Sequence, residues 1–399
     1  MNIVLLDTPQ ARKLLRPFSY TRALAKIRVG VVTIEEKWKY YLKGDYSFLT
    51  DSHLRHKFPC VESRDSLCIN STVCPDRVLV EAIKKLEINQ KLVKGDTLIA
   101  TRCDREQLQN FKKDEFDIPY FKNIIFESPI TQINNNWDIF LLNEQELIKD
   151  FQWICEGKTT QRILDQHTIT YNEASIFMEE GVSTKAAVLN AESGPIYIGS
   201  NATIQEGAVI RGPTAICEAV QVKAGARIGN ATTVGPYAKV GGEISNSVIL
   251  GYSNKAHDGF LGSSVVGEWC NLGAGTSTSN LRNDYGKIKV WDERGEELEA
   301  KNLQFCGLFM GDHSKCAVNT VFNSGTIVGV SSNLFGVGYY DKTVPSFTWG
   351  AKGKRIQTYV LDKALEAAER MTMRRQVQLT EQDKKILAHV FLATAIHRS

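Results

Sequence analysis

The segment between Thr8 and Ile34 carries six basic residues and no carboxylate, a composition that favours the binding of an anion. It follows a short apolar run, residues 3–6, which ends at Asp7. Cations placed after a first strand suit a phosphate-bearing ligand, because they form charge-assisted hydrogen bonds with its oxygens. The alternative is a solvated basic helix face. The basic residues are Arg12, Lys13, Arg16, Arg22, Lys26 and Arg28, and the candidates for nucleotide or phosphate binding are Asp7, Arg16, Arg22 and Lys26.

A second chemical feature is His257, which lies in the string SNKAHDGFLG shortly before the glycine-rich string WCNLGAGTSTSN. Imidazole titrates near neutral pH and can take a proton as a general base. The small residues that follow would let a ligand approach the backbone closely. An isolated loop histidine can equally cap a turn. A zinc site needs three converging histidines, and residues 170–350 contain only His257 and His313, so no metal site is predicted there.

The histidine lies in a stretch with a six-residue repeat. A β-branched aliphatic residue returns at every sixth position, and the fourth residue after each of these anchors is small enough for a tight corner. Three such units close one triangular coil, and stacked coils bury a continuous aliphatic column, which predicts a solenoid. The anchors are Ile198, Ile204, Ile210, Ile216, Val222, Ile228, Val234 and Val240.

The repeat begins upstream at Ile176 and has two apparent interruptions. It breaks after Val240, returns at Phe260, pauses again, and runs from Met310 onward. The interruptions are residues 244–259 and 279–305. Loops that leave a rigid scaffold can position side chains, so chemistry is expected at these two places.

The chain on either side of the repeat has a different character. Residues 1–165 alternate apolar strands (3–6, 29–34 and 97–100) with helical stretches such as 77–92, which predicts one α/β domain. Residues 170–350 form the solenoid, and residues 351–399 form a helical tail with a capping signal from Thr380 to Asp383. The tail is expected to cover the open end of the solenoid or a neighbouring subunit.

Composition indicates an intracellular chain. The 48 basic and 45 acidic residues leave a net charge of +3, which implies no nucleic-acid partner. The nine cysteines are odd in number and scattered, so we expect buried thiols in a reducing compartment. Residues 1–7 contain an apolar run too short for a signal peptide, and no stretch is apolar enough to span a bilayer. A cytoplasmic location without membrane association is expected.

The string LLRPFSYTRALAKIRVG resembles a segment of sugar-1-phosphate nucleotidyltransferases. The resemblance implies an NTP such as UTP as substrate and, if this domain is active, a bound Mg²⁺. Two features depart from the family: no glycine precedes Gly30, and Ala23 and Leu24 stand where the family has a proline-lysine pair. Asp7 and Asp96 are candidate metal ligands, although each can equally be a strand-end cap or a turn residue.

The string from Lys255 to Asn280 resembles the acetyltransferase domain of GlmU-type enzymes, which are bifunctional UDP-N-acetylglucosamine pyrophosphorylases and glucosamine-1-phosphate N-acetyltransferases. The motifs GGE, SNKAHDGFLG and NLGAGT carry it. The order of an α/β domain ahead of the solenoid also matches. The resemblance implies a left-handed parallel β-helix of hexapeptide repeats, acetyl-CoA as acyl donor, and a homotrimer with active sites between adjacent prisms.

The resemblance also implies roles for individual residues. His257 matches the catalytic histidine that takes a proton from the attacking amine. Phe260 stands where the family has a tyrosine that contacts the sugar phosphate or the sugar ring. The matching substrate-binding residues are Arg211, Asn271, Asn280 and Lys287, and those expected to contact coenzyme A are Ala274, Gly275 and Gly329.

The sequence therefore predicts an acetyl-CoA-dependent N-acetyltransferase that acts on an amino-sugar 1-phosphate similar to glucosamine-1-phosphate. Nucleotidyl transfer in the first domain would couple it to the biosynthesis of nucleotide sugars. The alternative is a sugar-phosphate-binding or scaffold protein whose catalytic sites have degenerated.

Overall fold

The computed structural model describes residues 1–116, 121–292, 295–298, 300, 302–336, 340–350 and 357–398. Contacts divide the chain into two compact units. The first unit comprises residues 1–15, 19–27 and 32–135, and the second comprises residues 16–18, 28–31 and 136–399. The predicted start of the tail at residue 351, and parts of the predicted interruption 279–305, lie outside the described residues.

The first unit is an α/β fold around a six-stranded sheet of order β2-β1-β3-β6-β5-β7. Strand β1 is parallel to β2 and β3, and β6 is antiparallel to β3 and β5. Residues 3–6 of β1 are fully buried, which explains their continuous apolar run. The elements are β1 (Asn2–Leu6), α1 (Pro9–Leu14), α2 (Ile34–Tyr41), β2 (Asp45–Leu49), β3 (Ser66–Asn70), β4 (Val73–Cys74), α3 (Arg77–Lys84), β5 (Gln90–Lys94), β6 (Thr97–Cys103), α4 (Arg105–Phe111), β7 (Lys122–Ile125) and β8 (Thr131–Gln132).

Two local predictions in this region are wrong. Residues 29–34 do not form a strand, because Gly30 has a φ of +79° and Thr33 caps helix α2 through a reciprocal capping box with Glu36. The predicted helix 77–92 ends at Lys84, and the chain then turns through Asn89, whose φ is +69°, into β5.

The second unit begins with two helices and continues as stacked coils. The helices are α5 (Asp138–Leu141) and α6 (Asn143–Cys155). The following strands are β9 (Ile169–Tyr171), β10 (Ile176–Met178), β11 (Ser183–Thr184), β12 (Val188–Asn190), β13 (Ile196–Ile198), β14 (Thr203–Ile204), β15 (Val209–Arg211), β16 (Thr214–Ile216), β17 (Gln221–Val222), β18 (Arg227–Gly229), β19 (Thr232–Val234), β20 (Lys239–Val240), β21 (Glu243–Ser245), β22 (Val248–Gly251), β23 (Asn254–Lys255), β24 (Phe260–Gly262), β25 (Val265–Glu268), β26 (Asn271–Leu272) and β27 (Ser277–Thr278).

The remaining elements complete the coils and the tail. They are β28 (Val290–Trp291), β29 (Glu297–Leu298), β30 (Leu308–Met310), β31 (Lys315–Cys316), β32 (Val321–Phe322), β33 (Thr326–Val328), β34 (Asn333–Leu334), β35 (Thr343–Val344), β36 (Thr348–Gly350), β37 (Gln357–Thr358), α7 (Leu361–Met373) and α8 (Glu381–Ala393).

The coils form a left-handed parallel β-helix with three faces, as predicted. Face A has the order β10-β13-β16-β19-β22-β25-β30-β33-β35, face B has β11-β14-β17-β20-β23-β26-β31-β34-β36, and face C has β9-β12-β15-β18-β21-β24. The chain visits the faces in the order A, B, C. Ile198 pairs with Ile216, and Ile216 pairs with Val234, so neighbouring coils are eighteen residues apart there. All eight predicted anchors from Ile198 to Val240 are buried in one aliphatic core.

The first predicted interruption is wrong. Residues 244–259 contain strands β21, β22 and β23 in regular parallel register, and Ile244 and Ile249 face the core. The next inward position is Lys255, which pairs with Val240, and the one after it is Leu261 rather than Phe260. The coils continue, but the inward positions are only four residues apart from Val240 to Ile244 and five from Ile244 to Ile249, and a lysine occupies the next one, so the six-residue pattern is lost from the sequence.

The second predicted interruption is a real excursion. After β27, which pairs with β32, the chain leaves the coils and forms the antiparallel pair β28 and β29. It returns where the Cys306 N–H donates to the Asn280 carbonyl at 2.9 Å. The excursion therefore begins and ends at one corner of the solenoid.

The tail follows the last coil. Strand β37 pairs antiparallel with β36, and Thr380 and Asp383 form the predicted capping box at the start of α8. The Phe391 ring of α8 packs edge-on against Phe347 of the last coil, with ring centroids 5.1 Å apart. Helix α8 therefore covers part of the open end, as predicted.

A buried hydrogen-bond network within the second unit ties α6 to residues 28–31 and to the coil of β19. The Asn143 side chain accepts from the Gly30 N–H at 2.7 Å and donates to the Ala231 carbonyl at 2.7 Å. The Thr233 hydroxyl donates to the Gly30 carbonyl at 2.9 Å. Gly30 has no substitute here, since an added Cβ would lie 2.4 Å from an Asp150 carboxylate oxygen.

We expect the substitution Asn143→Leu to lower the free energy of unfolding by about 2–4 kcal/mol, because it leaves the buried Gly30 N–H and Ala231 carbonyl without partners. Urea denaturation of the full chain, followed by tryptophan fluorescence, measures the loss. Gln145→Leu on the exposed side of the same helix is the control. Equal unfolding midpoints for the two variants would contradict the assignment.

Candidate active site

His257 lies at the corner between faces B and C, in the turn from β23 to β24. The imidazole is exposed and makes no hydrogen bond to the described residues. The turn rests directly on Gly242 of the preceding coil. A Cβ added to Gly242, whose φ is +69°, would lie 2.9 Å from the His257 carbonyl oxygen and 2.9 Å from the Asp258 Cα. This close approach explains why the GGE motif accompanies the histidine.

Lys255 lies beneath the same turn, inside the solenoid. Its side chain is 3% exposed, and its ammonium donates to the His257 carbonyl oxygen. Burial lowers the pKa of Lys255 to about 8, although Asp258 and Cys316 act in the opposite direction. Thr276 and Cys316, whose Oγ1 and Sγ atoms are 3.5 Å apart, add further polar atoms to this part of the core. The catalytic candidate is therefore held from within the coil by a buried cation.

Ala274 and Gly275 lie at the same corner, one coil above His257. The Gly275 N–H donates to the Asp258 carbonyl at 3.0 Å, and the Ala274 carbonyl accepts from the Asn319 N–H at 2.7 Å. The Ala274 N–H donates to no acceptor among the described residues, and Ala274 is half-buried. The structure therefore places a free backbone donor next to the His257 turn.

Two other predicted residues lie elsewhere. Asn271 faces outward on face B, where its side-chain oxygen accepts from the Asn254 amide at 2.8 Å in an asparagine ladder. Gly329 lies at the corner between faces A and B, and its carbonyl accepts from the Ser314 hydroxyl at 2.5 Å. Neither residue lies in the turn that contains His257.

Asn280 lies at the corner between faces C and A and lines a cavity of about 450 Å³. Its amide lies 3.5 Å from the Ser263 hydroxyl. The Lys287 ammonium donates to Asn302, another lining residue, at 2.5 Å. Of the predicted substrate-binding residues, Asn280 therefore lines the cavity, and Lys287 contacts one of its lining residues. Its lining residues are Trp137, Leu141, Asn230, Ser245, Asn246, Ser263, Asn280, Asn302, Leu303, Gln304 and Phe305.

Face C connects the two corners. Strand β24 spans about 10 Å between the His257 turn and the corner of Asn280, at about 3.3 Å per residue. Arg211 ends β15, which is three strands away from β24 on this face. Strand spacing of about 4.8 Å places it about 14 Å from the coil of His257.

Arg227 is exposed on face C and was not among the site residues predicted from the sequence. It lies on face C in register with Glu243, and Glu243 is in register with Phe260, so the three residues form one outward column. Arg227 and Glu243 form an exposed ion pair with an N···O distance of 2.8 Å. The sequence does indicate that Arg227 faces outward, because it directly precedes the inward residue Ile228. Phe260 directly precedes the inward residue Leu261 in the same way.

The predicted phosphate-binding residues are divided between the two units. Arg22 is buried in the first unit, whereas Arg16 belongs to the second, where its carbonyl accepts from the Asn136 amide at 2.5 Å. Lys26 pairs with the buried carboxylate of Glu35. Because Arg22 is buried, the segment as a whole is not a solvated basic helix face, and phosphate binding by these residues stays a prediction.

Asp7 directly follows β1, and its carboxylate accepts from the Leu24 N–H at 3.1 Å. Burial raises its pKa to about 6, despite nearby hydroxyls of Thr50 and Ser71. Asp96 lies in the exposed turn of the hairpin from β5 to β6. Within the described residues no three histidine, cysteine or acidic side chains converge to hold a metal. The residues present do not fit the implied Mg²⁺, because Asp7 is buried and both of its carboxylate oxygens accept from the Leu24 N–H.

The nine cysteines are free, and seven of them are buried, as expected. Among the described residues no helix combines the length and the apolar character needed to cross a membrane.

The chain is a transferase with a hexapeptide-repeat β-helix, as the following comparisons show. Residues 3–159 match the family described as "Sugar nucleotidyl transferase". The chain is 28% identical over 173 residues to the "Uncharacterized acetyltransferase YaiX" of Escherichia coli O6:K15:H31 (strain 536 / UPEC), covering 43% of this chain and 74% of that protein.

A second relative is the "Bifunctional protein GlmU" of Methanococcus aeolicus, which is 32% identical over 90 residues. The match covers 23% of this chain and 21% of the length of that protein. Together these matches confirm the resemblance to GlmU-type bifunctional enzymes.

Among solved structures, the UDP-N-acetylglucosamine acyltransferase of Francisella novicida has a TM-score of 0.32 and 13% sequence identity. The match covers 55% of this chain and 75% of the Francisella novicida chain.

Proposed function

We propose that the second unit is an acetyl-CoA-dependent N-acetyltransferase that acts on an amino-sugar 1-phosphate. The observation that carries the proposal is the corner between faces B and C, where His257 stands one coil below the free Ala274 N–H. A base and an oxyanion donor side by side are the two groups that acyl transfer requires.

The proposed reaction uses these groups in turn. The sugar amine attacks the thioester carbonyl, a C–N bond forms, and the Nε2 or Nδ1 atom of His257 takes the amine proton. The carbonyl oxygen becomes an oxyanion, and the Ala274 N–H is placed to donate to it. The C–S bond then breaks, and coenzyme A leaves with the proton returned by the imidazolium.

In this proposal the amino-sugar acceptor binds on face C, between the His257 turn and the cavity that Asn280 lines. Amide and hydroxyl groups of Asn246, Ser263 and Asn280 suit sugar hydroxyls. Because His257 is exposed in the single chain, the site needs a second surface to exclude water. A homotrimer with active sites between adjacent prisms, implied by the GlmU-type relatives, would supply it.

The test is acetylation of glucosamine-1-phosphate by the purified full chain, followed as release of the coenzyme A thiol. Other amino-sugar phosphates and unphosphorylated glucosamine distinguish the acceptor. Thiol release that depends on the acceptor amine supports the proposal. If no acceptor gives acetyl-CoA-dependent product, the protein is a binding or scaffold protein instead.

The match of residues 3–159 to a sugar nucleotidyl transferase family favours a second activity, transfer of a nucleotidyl group from UTP to a sugar 1-phosphate. Incubation of N-acetylglucosamine-1-phosphate with UTP and Mg²⁺, and then with other nucleotides, tests it. Absence of pyrophosphate with every pair would show that this unit is not a working nucleotidyltransferase.

A further inference from the structure

The floor of the cavity at the corner between faces C and A is a column of polar side chains from successive coils. Asn230 follows β18, Asn246 follows β21 and Ser263 follows β24, with φ values of +49°, +45° and +47°. Asn280 completes the column. The amides of Asn246 and Asn280 both donate to the Ser263 hydroxyl oxygen, at 3.2 and 3.5 Å. We call these four residues the polar column.

The polar column has hydrogen-bonding capacity that the protein does not use. The Ser263 hydroxyl donates to no acceptor among the described residues, and within the same part of the chain the side-chain oxygens of Asn246 and Asn280 accept from no donor. Polar groups in a concave site are usually satisfied by a partner. A ligand that offers both donors and acceptors can therefore bind along the polar column.

Two segments supply apolar walls around the polar column. Trp137 and Leu141 come from the segment of α5, which is held on face A where Phe140 stacks on Phe309 with ring centroids 6.2 Å apart. Phe305 comes from the end of the excursion. Leu141 is 52% exposed and Phe305 is 47% exposed, although both are apolar. The two walls therefore offer apolar surface to a ligand.

The cavity is uncharged. None of the described residues that line it has an ionisable side chain. Lys287 donates to Asn302 of the lining, but Lys287 is exposed and does not itself line the cavity. A phosphate group in the cavity would lose water without gaining a cation, which is unfavourable. The cavity therefore suits an uncharged part of a ligand.

The cavity is also separate from the candidate base. Strand β24 separates the corner of His257 from the corner of Asn280 by about 10 Å, at about 3.3 Å per residue. This separation is longer than one pyranose ring. A single sugar therefore cannot place its amine at His257 and its ring in the cavity, and a ligand that uses both places needs a second ring.

We propose that the amino-sugar acceptor carries a second, neutral sugar residue, which binds in the cavity while the amine lies at His257. This inference rests on the proposed function and narrows its substrate class to a disaccharide 1-phosphate with the amino sugar at the phosphate end. Sugar hydroxyls both donate and accept, so they can satisfy the Ser263 hydroxyl and the side-chain oxygens of Asn246 and Asn280. The C–H faces of the neutral ring pack against the apolar walls.

A nucleobase matches the polar column less well than a sugar does. The hydrogen-bonding groups of a base lie next to one another along one edge, whereas the polar column offers its groups coil by coil, at about 4.8 Å. Equatorial hydroxyls on alternate carbons of a pyranose are separated by a distance comparable with this coil spacing. The spacing therefore favours a sugar ring that lies along the corner.

The kinetic test compares two acceptors in acetyl-CoA-dependent thiol release by the full chain: glucosamine-1-phosphate, and the same compound with a glucosyl residue linked as in cellobiose. We expect kcat/KM to be at least about tenfold higher for the disaccharide. Phe305→Ala and, on the other wall, Leu141→Ala should remove most of this preference. Both side chains are largely exposed, so neither substitution should unfold the protein.

Tyr285→Ala is the matched control, because Tyr285 is another exposed aromatic residue of the excursion and lies outside the cavity lining. This variant should keep the full preference for the disaccharide. Equal kcat/KM for the two acceptors in the parent would overturn the proposal. A preference that persists in both wall variants would overturn it as well.

Methyl glucoside probes the cavity alone, and saturation-transfer NMR on the full chain without acetyl-CoA measures its binding. The parent and Tyr285→Ala should bind it, and Phe305→Ala should bind it at least about tenfold more weakly. If methyl glucoside binds in this way but no acceptor is acetylated, the cavity is a sugar site and the proposed function is wrong. If glucosamine-1-phosphate is acetylated but methyl glucoside does not bind, this inference alone fails. A preference for UDP-glucosamine, with competition by uridine but not by methyl glucoside, would show that the cavity binds a base and overturn the proposal.

Discussion

Replacing His257 with alanine should lower kcat for acetylation of the amino-sugar phosphate by about 10²–10⁴-fold, the usual contribution of a general base. The side chain is exposed and makes no hydrogen bond to the described residues, so the substitution should leave the unfolding temperature unchanged. The coenzyme should still bind, because its proposed contacts are backbone groups of Ala274 and Gly275. The measurement is the steady-state rate of thiol release, with coenzyme A affinity determined separately.

His167→Ala is the matched control for that experiment. His167 is another exposed histidine of the second unit, in the segment before β9, and it should be replaceable without a change in rate. An active His257→Ala enzyme would rule out the imidazole as the base. A variant that loses coenzyme A affinity as well as rate would show instead that the ring binds the donor.

The coils were predictable because burial in a solenoid is a local pattern. Each anchor from Ile198 to Val240, such as Ile210 or Val222, faces inward for reasons contained in its own six residues, and the buried core contains all eight. The same rule failed after Val240, because the coil there is shortened to about fifteen residues and its third inward position is a lysine, Lys255, in place of an aliphatic residue. Its hydrogen bond to the His257 carbonyl becomes visible only when the turn is folded.

The candidate site was predictable in part. His257, Ala274 and Gly275 are close in sequence and meet at one corner, since consecutive coils stack. The walls of the cavity around Asn280 were not predictable, because Trp137 and Leu141 come from a helix more than a hundred residues earlier.

Lys255→Met should stabilise the protein and impair catalysis, two effects of opposite sign. Methionine fills the inward position without burying a charge, so we expect a higher unfolding temperature at pH 7. The pKa of Lys255 is lowered to about 8 in the folded state, so the unfolded chain binds more protons between about pH 8 and its ordinary pKa of 10.5. The stability of the parent therefore rises with pH across that window, and the advantage of the variant should shrink toward pH 10.

The catalytic loss follows from the hydrogen bond to the His257 carbonyl, which positions the turn. A catalytic group displaced by about 1 Å can cost on the order of 10²-fold in rate, so kcat should fall by about that factor while KM for acetyl-CoA changes little. Leu272→Met is the control, because Leu272 occupies the next inward position on face B and makes no bond to the turn. A Lys255→Met enzyme with normal kcat would show that the buried ammonium does not position the base. A lower unfolding temperature at pH 7 would show that its hydrogen bond outweighs the cost of burying the charge.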